Sequence, residues 1–198
     1  MGTAGPCTFY PIYSPAGGGT YGVGMTCKFC FSADTKMNLL KDSKQYQKSV
    51  AQIQKDDLVL TFNGKNKVFT KVLETKKNEG IFEFYEFKLR DEKKLKTKII
   101  TVTGNHMMIV FGEVQNDIKL KYACQLKVGE FLRTTDGLFE IYEIETKMMN
   151  NSYQIKVENG TVLANDILVS TIYSEGNNNR KINSKLLDSA KIPIDIKN

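Results

Sequence analysis

The 198-residue chain contains no tryptophan, one histidine, four prolines, four cysteines and three arginines (Arg90, Arg133 and Arg180). Each scarcity excludes something. Four cysteines, at positions 7, 27, 30 and 124, are too few for a disulfide-built scaffold. One CxxC without a second, beside a single histidine, leaves a zinc site short of ligands unless Cys7, Cys124 or His106 is recruited from afar, so no metal and no other cofactor is expected. Three arginines among 28 basic residues supply few of the forked donors that grip phosphate and guanine. The net charge of +6 is therefore assigned to solvated surface and not to nucleic-acid binding. Its lysines are interleaved with glutamate, as in Glu92-Lys93-Lys94-Leu95-Lys96-Thr97-Lys98, a pattern that suits a solvated edge strand. No apolar run reaches the roughly 18 residues of a membrane-spanning helix, and no basic stretch leads into an apolar one near residue 1, so neither a membrane span nor a secretory signal is visible. A cytoplasmic, monomeric protein is the expectation, unless the chain is a fragment of a secreted precursor.

What is present is a globular composition, 41% apolar and 25% charged, at a length suited to one domain with some chain to spare. Residues 1–29 are rich in Gly, Pro, Thr and Tyr, and Gly17 to Gly24 is costly to order, so this part is expected to be a flexible leader. From Cys30 to about Tyr173 short β-branched and aromatic runs alternate with turn residues. Leu138 to Ile144 alternates strictly, which implies one buried and one wet face. Asn63-Gly64 and Asp136-Gly137 read as hairpin turns. Asp42 to Gln54 reads as one short helix or an ordered loop. No internal repeat is visible, and residues 174–198 form a polar, Asn- and Lys-rich tail. The fold class is all-β.

Two places carry chemistry. In Cys27-Lys28-Phe29-Cys30-Phe31-Ser32-Ala33-Asp34-Thr35 the cysteine pair is a redox dithiol, half a metal site, or one working cysteine with a neighbour. The strand-then-helix setting of a thioredoxin-like CxxC is missing. The other place is Thr101-Val102-Thr103-Gly104-Asn105-His106-Met107-Met108, a strand, a sharp break and a second apolar run. A histidine opening a buried strand is most often a satisfied core residue, although Thr103 can reach the same turn. Cys124 reads as a small buried hydrophobe.

Taken together, these segments resemble the Hint family, the self-processing domains of inteins and of Hedgehog C-terminal segments. The marks are Cys30-Phe31 with Asp34-Thr35-Lys36-Met37, then Lys55-Asp56-Asp57-Leu58-Val59-Leu60, Thr103-Gly104-Asn105-His106, Leu126-Lys127-Val128-Gly129-Glu130-Phe131-Leu132, and the closing Leu163-Ala164-Asn165-Asp166-Ile167-Leu168-Val169-Ser170-Thr171. They span residues 30–173. The resemblance implies a horseshoe of short antiparallel strands with a pseudo-two-fold arrangement. It also implies that Cys30 attacks the carbonyl of Phe29 in an N-to-S acyl shift, with Thr103 on the scissile amide and His106 moving protons. A free thiol is only partly ionised at neutral pH and an amine is a poor leaving group, so both need help. The substrate would be the chain's own N-terminal segment, and the acyl acceptor water or a small nucleophile.

Departures from the family narrow this further. The ending Ser170-Thr171 lacks the His-Asn of splicing inteins, and Thr171 stands where the family has a late cysteine. The aspartate that Hedgehog-type domains carry before the Thr-x-x-His turn falls in Val72-Leu73-Glu74-Thr75-Lys76-Lys77, where a lysine replaces it, leaving Glu74 or Asp34 as substitutes. A Cys27–Cys30 disulfide would hold the nucleophile off until reduction. The competing class is an inactive Hint-fold domain that serves as a binding scaffold.

Overall fold

In the computed structural model the described residues are 8–12, 22–26, 29–91, 93, 95–112 and 118–172. Among them there is no α-helix, so none long and apolar enough to cross a membrane. There are thirteen strands: β1 (Thr8–Ile12), β2 (Gly22–Thr26), β3 (Lys36–Lys41), β4 (Lys44–Ser49), β5 (Leu58–Asn63), β6 (Asn66–Asp91), β7 (Lys96–Thr103), β8 (Met107–Phe111), β9 (Ile118–Tyr122), β10 (Phe131–Thr134), β11 (Gly137–Val157), β12 (Thr161–Ala164) and β13 (Ile167–Ser170). Two single turns of 3-10 helix, Val50–Gln52 and Ala123–Gln125, complete the list.

β1 and β2, within the Gly- and Pro-rich leader, pair antiparallel as a separate two-stranded sheet. Pro11 is tolerated there because both strands are edges. The other eleven strands form one antiparallel sheet in the order β10-β11-β6-β5-β3-β12-β13-β8-β9, with β4 on β3 and β7 on β6. The segment read as helix or loop, Asp42 to Gln54, is strand β4 followed by the first 3-10 turn.

Turn chemistry sets the registers. Asp42-Ser43 and Asn165-Asp166 each place two residues at positive φ between paired strand ends, as a type I′ hairpin requires. Gly64 supplies the positive φ for the β5–β6 turn, and Gly137 follows the Thr135-Asp136 loop of β10–β11. β6 and β11 are long because they pair along nearly their whole length, bending at three register shifts. Their alternation buries Phe87, Leu89, Phe139 and Ile141 against Met37, Leu39, Val59 and Ile100. A second cluster gathers Leu60, Phe62, Ile109, Phe111, Leu163 and Leu168. The lysines expected at a solvated edge are tied to it by ion pairs: Lys96 and Lys98 of β7 reach Asp136, and Lys98 also reaches Asp166.

The sequence shows no internal repeat, yet the fold has one. In the first half Ile53 N–H donates to the Val50 carbonyl, Gln54 N–H to the Asp57 carboxylate at 3.0 Å, and Lys48 pairs with Asp57. In the second half Leu126 N–H donates to the Ala123 carbonyl, Lys127 N–H to the Glu130 carboxylate at 2.9 Å, and Lys121 pairs with Glu130. All five residues of one set map onto the other at a constant offset along the chain. Positive φ at Asp56 and at Gly129 matches as well. The side chains differ because the repeated elements are carboxylate, lysine and turn geometry, and these tolerate Asp for Glu and Asp for Gly. The pseudo-two-fold continues into the loops: Thr35 N–H donates to the Ser32 carbonyl as His106 N–H donates to that of Thr103.

Candidate active site

Cys30 is fully buried because the short segment around it is threaded between two strands. Phe31 bridges Val102 of β7 on one side and Tyr153 of β11 on the other, exchanging both backbone hydrogen bonds with Tyr153. That insertion fixes the nucleophile candidate from both flanks. Cys30 N–H, the nitrogen of the Phe29–Cys30 peptide bond, donates to Thr103 Oγ1 at 3.0 Å. The Thr103 hydroxyl in turn lies 3.4 Å from the Cys30 carbonyl oxygen, and Thr103 N–H donates to that oxygen at 3.0 Å. A hydroxyl can accept and donate at once, so Thr103 holds both polar ends of Cys30.

His106 is 0% exposed, with its ring edge-on to Phe31 at 4.6 Å between centroids. Its Nε2 lies 2.9 Å from the Ser170 carbonyl oxygen. A carbonyl only accepts, so Nε2 carries the proton and Nδ1 keeps its lone pair. That lone pair is buried and has no hydrogen-bond partner. Burial drives the His106 pKa down to about 4, against the backbone of Ser170 and of Cys30, which favour the charged ring. The imidazole is therefore neutral at pH 7, with an unprotonated Nδ1 inside the fold.

The turn that carries Thr103 and His106 is held by its neighbours. His106 N–H donates to the Thr103 carbonyl, Ala123 N–H to the His106 carbonyl and Cys124 N–H to the Gly104 carbonyl. Position 104 must be glycine for space: a Cβ there would lie 2.7 Å from Tyr85 Cε2 and 3.4 Å from Cys124 Cβ. Cys124 itself is half-buried and unpaired, more open than a core hydrophobe, and burial pushes its thiol pKa up.

Cys30, Thr103 and His106 are thus brought together. Phe29 is buried with its ring stacked on Tyr122, 6.5 Å between centroids, so the residue on the acyl side of the bond also has a packed place. Ser170 joins through its carbonyl, and Thr171 is buried beside it with an unpartnered Oγ1. Asp34 and Glu74 are exposed and take no part. Cys27 lies outside the described residues.

One residue at the site was missed. Asn78, 5% exposed, donates from Nδ2 to Cys30 Sγ at 3.4 Å. It sits one position beyond the stretch Val72 to Lys77 in which an acid was sought. The available signal was a lone amide in a run of exposed charged residues on β6, which periodicity alone does not single out.

The molecule is therefore an antiparallel β-domain built around a buried cysteine whose amide is clasped by a Thr-x-x-His turn. No protein-family model matches the sequence and no curated protein matches it. Solved structures do match. An intein from a hyperthermophile superposes with a TM-score of 0.62 at 14% identity, covering 72% of this chain and 99% of that one. A DnaB intein from Synechocystis gives 0.58 at 19% identity, covering 74% and 100%. A bacterial intein-like domain from Clostridium thermocellum gives 0.52 at 21% identity, covering 72% and 98%. At these identities the likeness is one of fold, and the fold is the Hint fold shared by inteins and intein-like domains.

Proposed function

We propose that residues 30–173 act as a self-processing domain that cleaves the Phe29–Cys30 bond, with 1–29 as the released segment and 174–198 as a polar tail. The single observation that carries this reading is the buried hydrogen bond from the Cys30 amide to Thr103 Oγ1 at 3.0 Å. That hydroxyl sits on the nitrogen that would leave when the Phe29–Cys30 bond breaks, where it can both satisfy the buried amide and donate to the departing amine.

His106 Nδ1 takes the proton from Cys30 Sγ while the sulfur bonds to the Phe29 carbonyl carbon. The C–N bond breaks, and the proton passes from the imidazolium to the Cys30 nitrogen, which becomes a free amine. An imidazolium with a pKa near 4 is a strong acid for that transfer. As nitrogen gains its lone pair, the Thr103 hydroxyl switches from accepting to donating. Water or a small nucleophile then attacks the thioester, releasing a segment that ends in Phe29 and restoring the thiol. Splicing is not proposed, because Ser170-Thr171 lacks the asparagine that would cut a second junction.

Incubating the purified chain with dithiothreitol or hydroxylamine and following its mass tests the proposal. Loss of residues 1–29, abolished in Cys30→Ala and slowed in His106→Ala, is the expected result. An intact 22.4 kDa species after days in both reagents would sink it. That outcome would favour the second reading, an inactive Hint-fold binding scaffold, which one observation supports: no carboxylate from Asp34 or Glu74 faces the site. Reductant dependence of cleavage separately tests a Cys27–Cys30 restraint.

A further inference from the structure

The proposed acyl shift asks a fully buried thiol to ionise, and burial alone opposes the charged form. Hydrogen-bond donors aimed at the sulfur reverse that penalty. Asn78 Nδ2 is one, at 3.4 Å from Cys30 Sγ. The β6–β11 ladder supplies a second group: Ser152 is the direct cross-strand partner of Asn78. Side chains of directly opposed residues share one face of a sheet, with Cβ atoms about 5 Å apart. Ser152 is 0% exposed between less buried neighbours, and its Oγ has no hydrogen-bond partner. An unused hydroxyl in a dry interior is costly, and it lies on the same face as the amide that touches the sulfur. The bulge that brings Ser152 into register with Asn78 sets two β6 residues, Glu79 and Gly80, opposite the single Asn151 of β11, with Gly80 and Asn151 both at positive φ.

We propose that Asn78 and Ser152 form a thiolate-holding pair, which steadies the ionised Cys30 sulfur in place of the carboxylate expected at this strand. Asn78 positions Sγ in the resting protein, and the Ser152 hydroxyl turns to donate when negative charge appears. Unlike a carboxylate, the pair does not accept the thiol proton, so proton removal falls to His106 Nδ1. The purpose of the pair rests on the self-processing reading. Its effect on the thiol does not.

The test uses the full chain with Cys7, Cys27 and Cys124 changed to Ser, so that Cys30 is the only thiol. Its ionisation is followed by ultraviolet thiolate absorbance against pH, with the Cys30→Ser chain subtracted, while mass reports cleavage. Asn78→Ala is expected to raise the thiol midpoint by about one pH unit or more and to slow release about tenfold. Asn78→Asp keeps the shape but replaces the donor with a negative charge, and raises the midpoint further. Ser152→Ala raises it less and leaves Tm unchanged or higher, since it deletes an orphan hydroxyl. A purely structural role predicts lower Tm with an unmoved midpoint. An unmoved midpoint in both Asn78→Asp and Ser152→Ala overturns the pair, whether or not the chain cleaves. A responsive midpoint in a chain that never cleaves keeps the pair and removes the self-processing reading.

Discussion

Acidification should destabilise this protein through its one histidine. His106 is neutral in the folded chain down to about pH 4, whereas in the unfolded chain it titrates near 6.5. Between those values the unfolded state holds a proton that the folded state does not, so stability falls as pH falls. The sign follows from the lowered pKa: stability is fully present above about 6.5, declines through the window and levels off below about 4. The difference of roughly two and a half pKa units corresponds to about 3 kcal/mol across the window, with most of it lost by pH 4.5. Full burial of the ring means that no discount for solvent screening applies. Urea unfolding at pH 7 and pH 4.5 measures the loss, and His106→Gln separates it from carboxylate titration, since Gln can still donate to the Ser170 carbonyl. The expected result is a loss about 2–3 kcal/mol larger in the native chain than in His106→Gln. Equal losses in the two proteins would refute the buried neutral imidazole, and with it the free Nδ1 on which the proposed proton transfer depends.

Three further outcomes follow from the geometry. Thr103→Val keeps the shape but strands the buried Cys30 N–H, which should cost about 1–3 kcal/mol in urea unfolding and slow cleavage by mass about tenfold. Gly104→Ala forces a methyl against Tyr85, which stacks on Phe87, and a Tm shift equivalent to about 1–3 kcal/mol is expected; an unchanged Tm would mean that the turn relaxes freely. Asp57→Ala and Glu130→Ala each remove a carboxylate that accepts from a loop amide and pairs with a lysine, so each should cost about 1 kcal/mol, and chemical denaturation giving clearly unequal costs would contradict the structural repeat.

Alternation of apolar and polar residues and the spacing of turn signals were enough to read an all-β chain, because both are local properties of strands and hairpins. Cys30, Thr103 and His106 were singled out only through the resemblance to the Hint family, since a histidine opening a buried strand is by itself most often a core residue. Tertiary structure alone decided what those residues meet. Asn78 reaches Cys30 across 48 positions of chain, and Ser170 reaches His106 across 64. Such contacts depend on how β6 is laid beside β11, and β13 beside β8, and no local period encodes that. Strand order likewise decided that Glu74 and Asp34 face water, and that Ser152 is buried beside an amide. The repeat between the two halves was hidden for a related reason: it is conserved in turn geometry and charge pairing, which many different side chains satisfy. Local pattern was enough for strands and turns, and it pointed to a candidate nucleophile. Folding decided which groups surround the sulfur, because burial and hydrogen bonding between distant strands exist only once the sheet has closed around Cys30.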